Sequence, residues 1–422
     1  MSNFEKNLFI NFPSVLFAIL PLLMITGPFL SDLSISLISI IFLIYSVKKK
    51  DFTFFKNIFF FVFILFCTYI FFNGLLQGSD ISSLKSTFFY FRFGIFACAV
   101  VFLLNQNPKS LKFFYFVIIL CFCALIIDAF IQYIFTKNIF NWSMGLEKNR
   151  ISSFFGDELI MGSYLSKMTP ILIAIYFYFK KESNNFNVLN ILFISLLIIT
   201  VFISGERSSF FLLNLSLLFT IFFIKNLRKT YFFIIFFSFL VITLVTYFNP
   251  SAKLRMIDLT ISQTQLFKSK EFSILNLFSK QHNDHYNVGL KIFKDNKFFG
   301  VGVKNFKVKC QEKKYKVSEI SCSTHPHNIY IQFLSEIGLI GLLFVLFFIF
   351  HFLKIFFQTF KKDRYNKSQN FIFDIAILSG IFSSIWPFIP SGNFFNNWLS
   401  INYFLPIALL IWSRRKKIYE FI

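Results

Sequence analysis

Two histidines flank a proline at His325-Pro326-His327, and Asn328 follows at once. The chain then enters an apolar run that continues to about Phe357. An imidazole can take up or release a proton near neutral pH. Pro326 allows a helix to begin just beyond it. Proton-transfer chemistry therefore stands at the mouth of an apolar helix, with His327 as the candidate base and His325 and Asn328 beside it. Three arginines form the second group of interest. Arg150 precedes one apolar stretch, Arg207 sits in SGERSS between two adjacent apolar stretches, and Arg255 opens the long polar segment that His325 and His327 close. Arginine stays charged, and its planar fork donates paired hydrogen bonds to phosphate oxygens. Other readings stand beside these. Arg207 could anchor an interfacial turn by snorkelling, and Arg150 and Arg255 could be solvated loop charges. His282, His285 and His351 look ordinary, and the spacing of His282, Asp284 and His285 is not that of a metal site, so no metal and no cofactor are expected.

The elements that must position these residues follow from composition. Hydrophobic residues make up 56% of 422, with 71 phenylalanines. Repeated apolar runs of about 17–25 residues signal membrane-spanning helices. Twelve are expected, at 8–29, 31–47, 57–76, 88–104, 111–135, 158–179, 188–204, 208–224, 231–248, 329–357, 371–389 and 398–413. The fold class is thus an all-α integral membrane protein with one large external loop, 249–328. Residues 1–135 carry the first five helices and 136–422 the remainder. The first run lacks a small-residue cleavage site after it and reads as a retained span.

The net charge of +22 would suit a nucleic-acid binder. Its distribution argues otherwise, because the basic residues lie in short clusters between apolar runs. With the N-terminus inside, the inner segments hold 21 Lys and Arg and the short outer ones only 5. That is the positive-inside pattern. All the candidate histidines and arginines then fall on the outer side, where nucleotides are not available. The chain also lacks a GxxxxGK[ST] phosphate loop. A lipid-linked substrate that is already activated fits such a site, with arginines for its diphosphate.

Further features have plainer readings. Glu336 lies nine residues past His327, about 13 Å deeper and on nearly the opposite helix face, so a structural role inside the bundle is expected. Gly338 and Gly341 allow close packing. The GVG of Gly300–Gly302 makes a turn. HYNVGLKIFKDNKFFG forms either an amphipathic helix on the bilayer surface or a small cap helix. Cys310 and Cys322 could pair in an oxidising compartment. Asp128 and Lys167 are ionisable residues inside spans and keep a transporter in play.

His327-Asn328, nine residues, then Gly338 resembles the signature of the O-antigen ligase and polymerase family. FISGERSSFFLL, KIFKDNKFFGVGVKNF, RISSFFGDELIMGSYL and PSGNFFNNW resemble further blocks of it, over roughly Ala129 to the C-terminus. The resemblance implies a polytopic glycosyltransferase with a GT-C-like fold at the outer face of the bacterial inner membrane. Its donor would be a glycan on undecaprenyl diphosphate. Its acceptor would be a sugar hydroxyl of lipid A–core or of another glycan, and membrane lipid surrounds it. His327 would be the general base, and Arg207, Arg255 and Arg150 would hold the diphosphate. Ligase and polymerase share these motifs. A flippase of lipid-linked oligosaccharide is the alternative, although a transporter gathers its polar residues at the midplane.

Overall fold

The computed structural model describes residues 2–144, 150–180, 187–263, 278–362 and 369–419. Lys148, Lys181, Arg364 and Lys367, which enter the charge pattern, lie outside the described residues. Among the described residues every regular element is helical, and the one β-bridge, Lys137 to Ser143, is isolated.

The principal helices are α1 (Pro28–Lys49), α2 (Ile58–Leu76), α3 (Arg92–Gln106), α4 (Lys109–Phe135), α5 (Met161–Phe179) and α6 (Val188–Ile203). They are followed by α7 (Arg207–Phe223), α8 (Arg228–Phe248), α9 (Lys280–Asp295), α10 (Ile329–Lys362), α11 (Gln369–Ser384) and α12 (Asn397–Tyr419). Before α1 the first apolar stretch runs as short consecutive helices from Asn3 to Ile25. Side chains start several helices by satisfying their free N–H groups. Asn57 accepts from the Phe60 N–H ahead of α2, Asn187 from Asn190 ahead of α6, and Ser279 from His282 ahead of α9.

Among the described residues six helices are long and apolar enough to cross a membrane by length and composition: Pro28–Lys49, Ile58–Leu76, Ile81–Gln106, Lys109–Phe135, Lys225–Phe248 and Ile329–Lys361. Val188–Ile203, Arg207–Phe223 and Asn370–Ser384 are shorter apolar helices. The pattern of exposure agrees with an apolar surround. Along α8, Phe232, Phe236, Phe239 and Tyr247 lie on the outside, with Phe239 70% exposed. A water-soluble surface seldom presents such a continuous aromatic face. The centre is packed instead by α3, buried from Phe93 to Leu104, and by α5 lying against α11. That contact is close because Gly380 of α11 meets Pro170 of α5, where an added Cβ would stand 3.0 Å from the proline ring.

One expectation changes. The apolar run after His327 is not one continuous helix: α10 breaks at Gly338, whose φ is 64°. The backbone of residues 297–302 docks into that break. Val301 and Gly302 donate to the carbonyls of Ser335 and Glu336 at 3.0 and 2.8 Å, while Leu339 and Ile340 donate to those of Lys297 and Phe298. Tyr69 of α2 donates to the Ile337 carbonyl and Asn73 to that of Phe299. A Cβ on Gly338 would lie 2.3 Å from the Phe298 carbonyl oxygen, and one on Gly300 would lie 2.4 Å from the Glu336 carbonyl carbon. Only glycine fits both sides of this crossing. The GVG turn and the glycine nine residues beyond His327-Asn328 are therefore two halves of one joint. For α9 the structure favours one of the two readings the sequence left open. Its apolar face is taken up by protein: Val288 and Ile292 pack with Val301, Phe306, Cys310 and Tyr315 in a satellite core. It is a cap helix.

Candidate active site

α10 starts immediately after the histidine motif, and Asn328 caps it by accepting from the N–H groups of Tyr330 and Ile331. The Asn328 amide also donates to the Pro387 carbonyl in the loop between α11 and α12. That loop, 385–396, grips the motif at several points. Ser391 N–H donates to the His327 carbonyl, Gln332 donates to Asn393, and the Phe394 N–H donates to Gln332. The PSGNFFNNW block thus holds the histidine turn. His327 itself has φ 55°, a left-handed conformation that costs energy for a residue with a Cβ and that the surrounding bonds must maintain.

Four imidazoles meet here. His325 and His327 ring centres are 4.1 Å apart, His285 lies 5.2 Å from His327, and His282 lies 5.6 Å from it. The last two come from α9, and their part in the site was not legible from the sequence; the (i, i+3) spacing that places both on one helix face was the available signal. Burial, together with the other three rings, pushes His327 down to about 3. His282 is pushed down to about 4 by burial, then His285 and Arg207, and His325 to about 4 chiefly by burial. Burial also lowers His285. All four rings are neutral at pH 7.

Their nitrogens are not equally free. His325 uses both: Nε2 meets the Ser391 carbonyl at 3.2 Å and Nδ1 meets Thr324 Oγ1 at 3.0 Å. His285 Nε2 meets the Ile320 carbonyl, and its Nδ1 is buried without a partner. His327 Nε2 pairs with Ser323 Oγ at 3.0 Å, and among the described residues its Nδ1 makes no hydrogen bond.

The three arginines converge on the turn before α7. The position of a Cβ on Gly205 would be 3.4 Å from the Cγ atoms of both Arg150 and Arg255. Arg255 Nε donates to the Gly205 carbonyl, and Arg150 Nη2 to that of Leu159. Arg207 donates to Gln263 and Thr260, on the segment that carries Arg255. It also stands near enough to His282 to disfavour that ring's charge, so the arginine and histidine groups adjoin. Glu206, which sequence reasoning passed over, fixes this turn. Its carboxylate accepts from the N–H groups of Gly162 and Ser163 at the start of α5, at 2.6 and 2.9 Å, and from Ser209 Oγ.

A cavity of about 840 Å³ opens beside the arginine turn and the histidine motif; none of Arg150, Arg207, Arg255 and His327 is on its wall. Glu206, Ser208, Ser209, Lys304, Thr324 and His325 line it, as do Ser391 and Asn393 of the gripping loop. Its histidine wall is His325; His327 lies behind, toward α9. Glu336 is fully buried, accepts from Gln332 at 2.9 Å, and supports the motif from below, as the helix geometry anticipates. Asp128 accepts from the Ile139 N–H and from Ser153, so it ties the segment after α4 to that helix. Cys310 and Cys322 are paired, with Cα atoms 5.2 Å apart, and staple the loop that leads into the histidines. Among the described residues no group of three or more His, Cys, Asp or Glu is placed to hold a metal ion.

No curated protein matches this chain significantly. Residues 192–346 match the family model described as O-antigen ligase. That segment holds Arg207, Arg255, α9, the GVG turn, His325, His327 and the Gly338 break, and over it the chain is similar to the O-antigen ligase family, which supports assignment to that family.

Proposed function

We propose that the chain is a metal-independent, inverting glycan transferase of surface polysaccharide assembly. The donor is a glycan on undecaprenyl diphosphate, and the acceptor is a sugar hydroxyl of lipid A–core or of another glycan. The family match supports the class of reaction. The observation that carries the residue assignment is His327 Nδ1, an unbonded imidazole nitrogen one ring away from the arginine turn, while His325 has both nitrogens occupied.

A sugar hydroxyl is a weak nucleophile and loses its proton as it attacks the anomeric carbon. His327 accepts that proton: it is neutral at pH 7, its depressed pKa makes it a weaker base than a free imidazole, and the anionic diphosphate of a bound donor would favour the charged ring and offset that shift. The glycosidic bond to the diphosphate breaks as the new one forms, and attack from the opposite side inverts the centre. Charge builds on the departing diphosphate. Arg207, Arg255 and Arg150 meet it with donors already positioned. His325, Asn328 and Glu336 hold the base in place. In this reading the twelve apolar stretches all cross the inner membrane, both termini are cytoplasmic and 249–328 is periplasmic, so that 136–422 supplies the site and 1–135 supports it.

Deletion of the gene followed by glycolipid analysis tests the proposal. Core without attached polymer identifies a ligase, and core bearing a single repeat unit identifies a polymerase. Intact surface glycolipid contradicts both. Lipid-linked glycan stranded on the inner face would identify a flippase instead.

A further inference from the structure

Lys167 has no role in the account above. It lies six residues into α5, about 9 Å from the helix start, on a helix otherwise buried at nearly every position from Met161 to Phe177. Its side chain reaches the wall of the 840 Å³ cavity. Among the described residues its ammonium makes no hydrogen bond or ion pair; its contact is the Tyr403 ring, 6.0 Å away. Glu206, the carboxylate on the same wall, is already engaged by Gly162, Ser163 and Ser209. Glu206 is the nearby opposite charge, acting through space without an ion-pair contact, and a lysine so placed in an apolar helix is costly and marks a candidate ligand site.

The rest of the wall indicates the ligand. Three of the chain's four tryptophans, Trp142, Trp386 and Trp398, line this cavity together with Tyr403. Flat indole and phenol faces suit the C–H face of a sugar ring; the Trp398 N–H is spent on the Met24 carbonyl, while among the described residues that of Trp386 has no partner. Asn393 and Asn396 add amide donors and acceptors. Lys304 is a second cation on the wall; its Nζ donates to Ser86 Oγ. Glu158, at the exposed margin, is the remaining carboxylate.

We infer that this cavity binds a sugar bearing an anionic group, a phosphate or carboxylate, and that Lys167 is the cation that receives it. The site adjoins the arginine turn, sharing Glu206, Ser208 and Ser209 with it, although none of the three arginines lines the cavity. The identity of the ligand as a glycan rests on the transfer reading above, and the anion belongs either to the acceptor sugar or to the lipid diphosphate.

The test uses the full chain in lipid nanodiscs, with binding read from tryptophan fluorescence and no turnover required. The probes are a phosphorylated disaccharide, the same disaccharide without phosphate, and undecaprenyl diphosphate. Lys167→Gln should weaken one anionic probe about tenfold or more, the scale of a charge-assisted hydrogen bond, and leave the neutral disaccharide unaffected. Loss with the phosphorylated disaccharide assigns the anion to the acceptor, and loss with undecaprenyl diphosphate assigns it to the donor lipid. Unchanged affinity for both anionic probes, or an equal loss with the neutral one, overturns the inference. Lys167→Met removes a desolvated cation and should keep or raise thermal stability, which separates lost binding from lost fold. Glycan transfer by the same wild-type preparation tests the parent reading independently.

Discussion

Gly338→Ala is the substitution for which the structure gives the sharpest energetic expectation. The position has φ 64°, which costs a residue with a Cβ about 1–2 kcal/mol. The new Cβ would also stand 2.3 Å from the Phe298 carbonyl oxygen and 2.4 Å from its carbon, backbone atoms that cannot turn aside. The 297–302 segment must therefore withdraw, which threatens the four backbone hydrogen bonds that seat it in the break of α10. At about 1 kcal/mol each, losing all four brings the total to about 5–6 kcal/mol. Gly78→Ala is the control: Gly78 has φ 63° but nothing within 4 Å of its Cβ position, so it carries only the conformational cost of about 1–2 kcal/mol. Thermal unfolding of both purified variants in nanodiscs gives the comparison, and protease sensitivity of the 278–328 segment reports the docking itself. Gly338→Ala should melt well below Gly78→Ala and expose that segment. Equal melting points with an undisturbed segment would refute the joint between the GVG turn and the glycine beyond His327.

The histidine cluster predicts an unusual pH profile. The folded pKa of His327 lies below its unfolded value, so the neutral ring persists as pH falls from 6.5 toward about 3; the acid limb of transfer should sit well below pH 6.5. Replacing His282 and His285 by Gln removes two repelling rings and should move that limb upward; an unmoved limb means the rings do not interact. The depressed histidines also bind protons more readily in the unfolded state, so stability should fall between pH 6.5 and about 4, as read from melting temperature against pH. Cys310→Ser, which opens the staple before the histidines, should lower stability by about 2–4 kcal/mol, and a thiol reagent that labels the unreduced wild-type pair would contradict it. A reporter cysteine at Lys280 should react with an impermeant reagent in intact spheroplasts; reaction only after the membrane is opened reverses the topology.

Much of this architecture is legible in the sequence because the bilayer imposes simple rules. Apolar runs mark the helices: eleven of the twelve stretches coincide with one long helix each, and the first is a series of short ones. His327, Arg207, Arg255 and Arg150 are conspicuous in the sequence because an ionisable group beside an apolar run is costly. What escaped notice depends on chain folding at long range. His282 and His285 are ordinary loop histidines until α9 folds back over α10 and lays them against His327. Glu206 was overshadowed by its neighbour Arg207, and nothing local says that its carboxylate will cap α5, more than forty residues earlier. The break at Gly338 is hidden for the same reason: apolar periodicity continues across it, and only the docking of residues 297–302 requires it. Asp128 and Lys167 looked alike in the sequence, as ions inside spans. The structure separates them, since Asp128 is satisfied by backbone and Ser153 whereas Lys167 faces a cavity.

The assignment of the base is tested most directly by transfer assays on purified His327→Ala and His325→Ala, with lipid-linked donor and acceptor supplied and binding of both verified. His327→Ala should lose about 100-fold or more in turnover, the proton-transfer contribution alone, with donor binding retained. His325→Ala, whose ring has both nitrogens engaged in holding the turn, should be impaired less and should keep the wild-type pH profile. Wild-type turnover by His327→Ala would contradict the account, and so would a larger loss in His325→Ala than in His327→Ala.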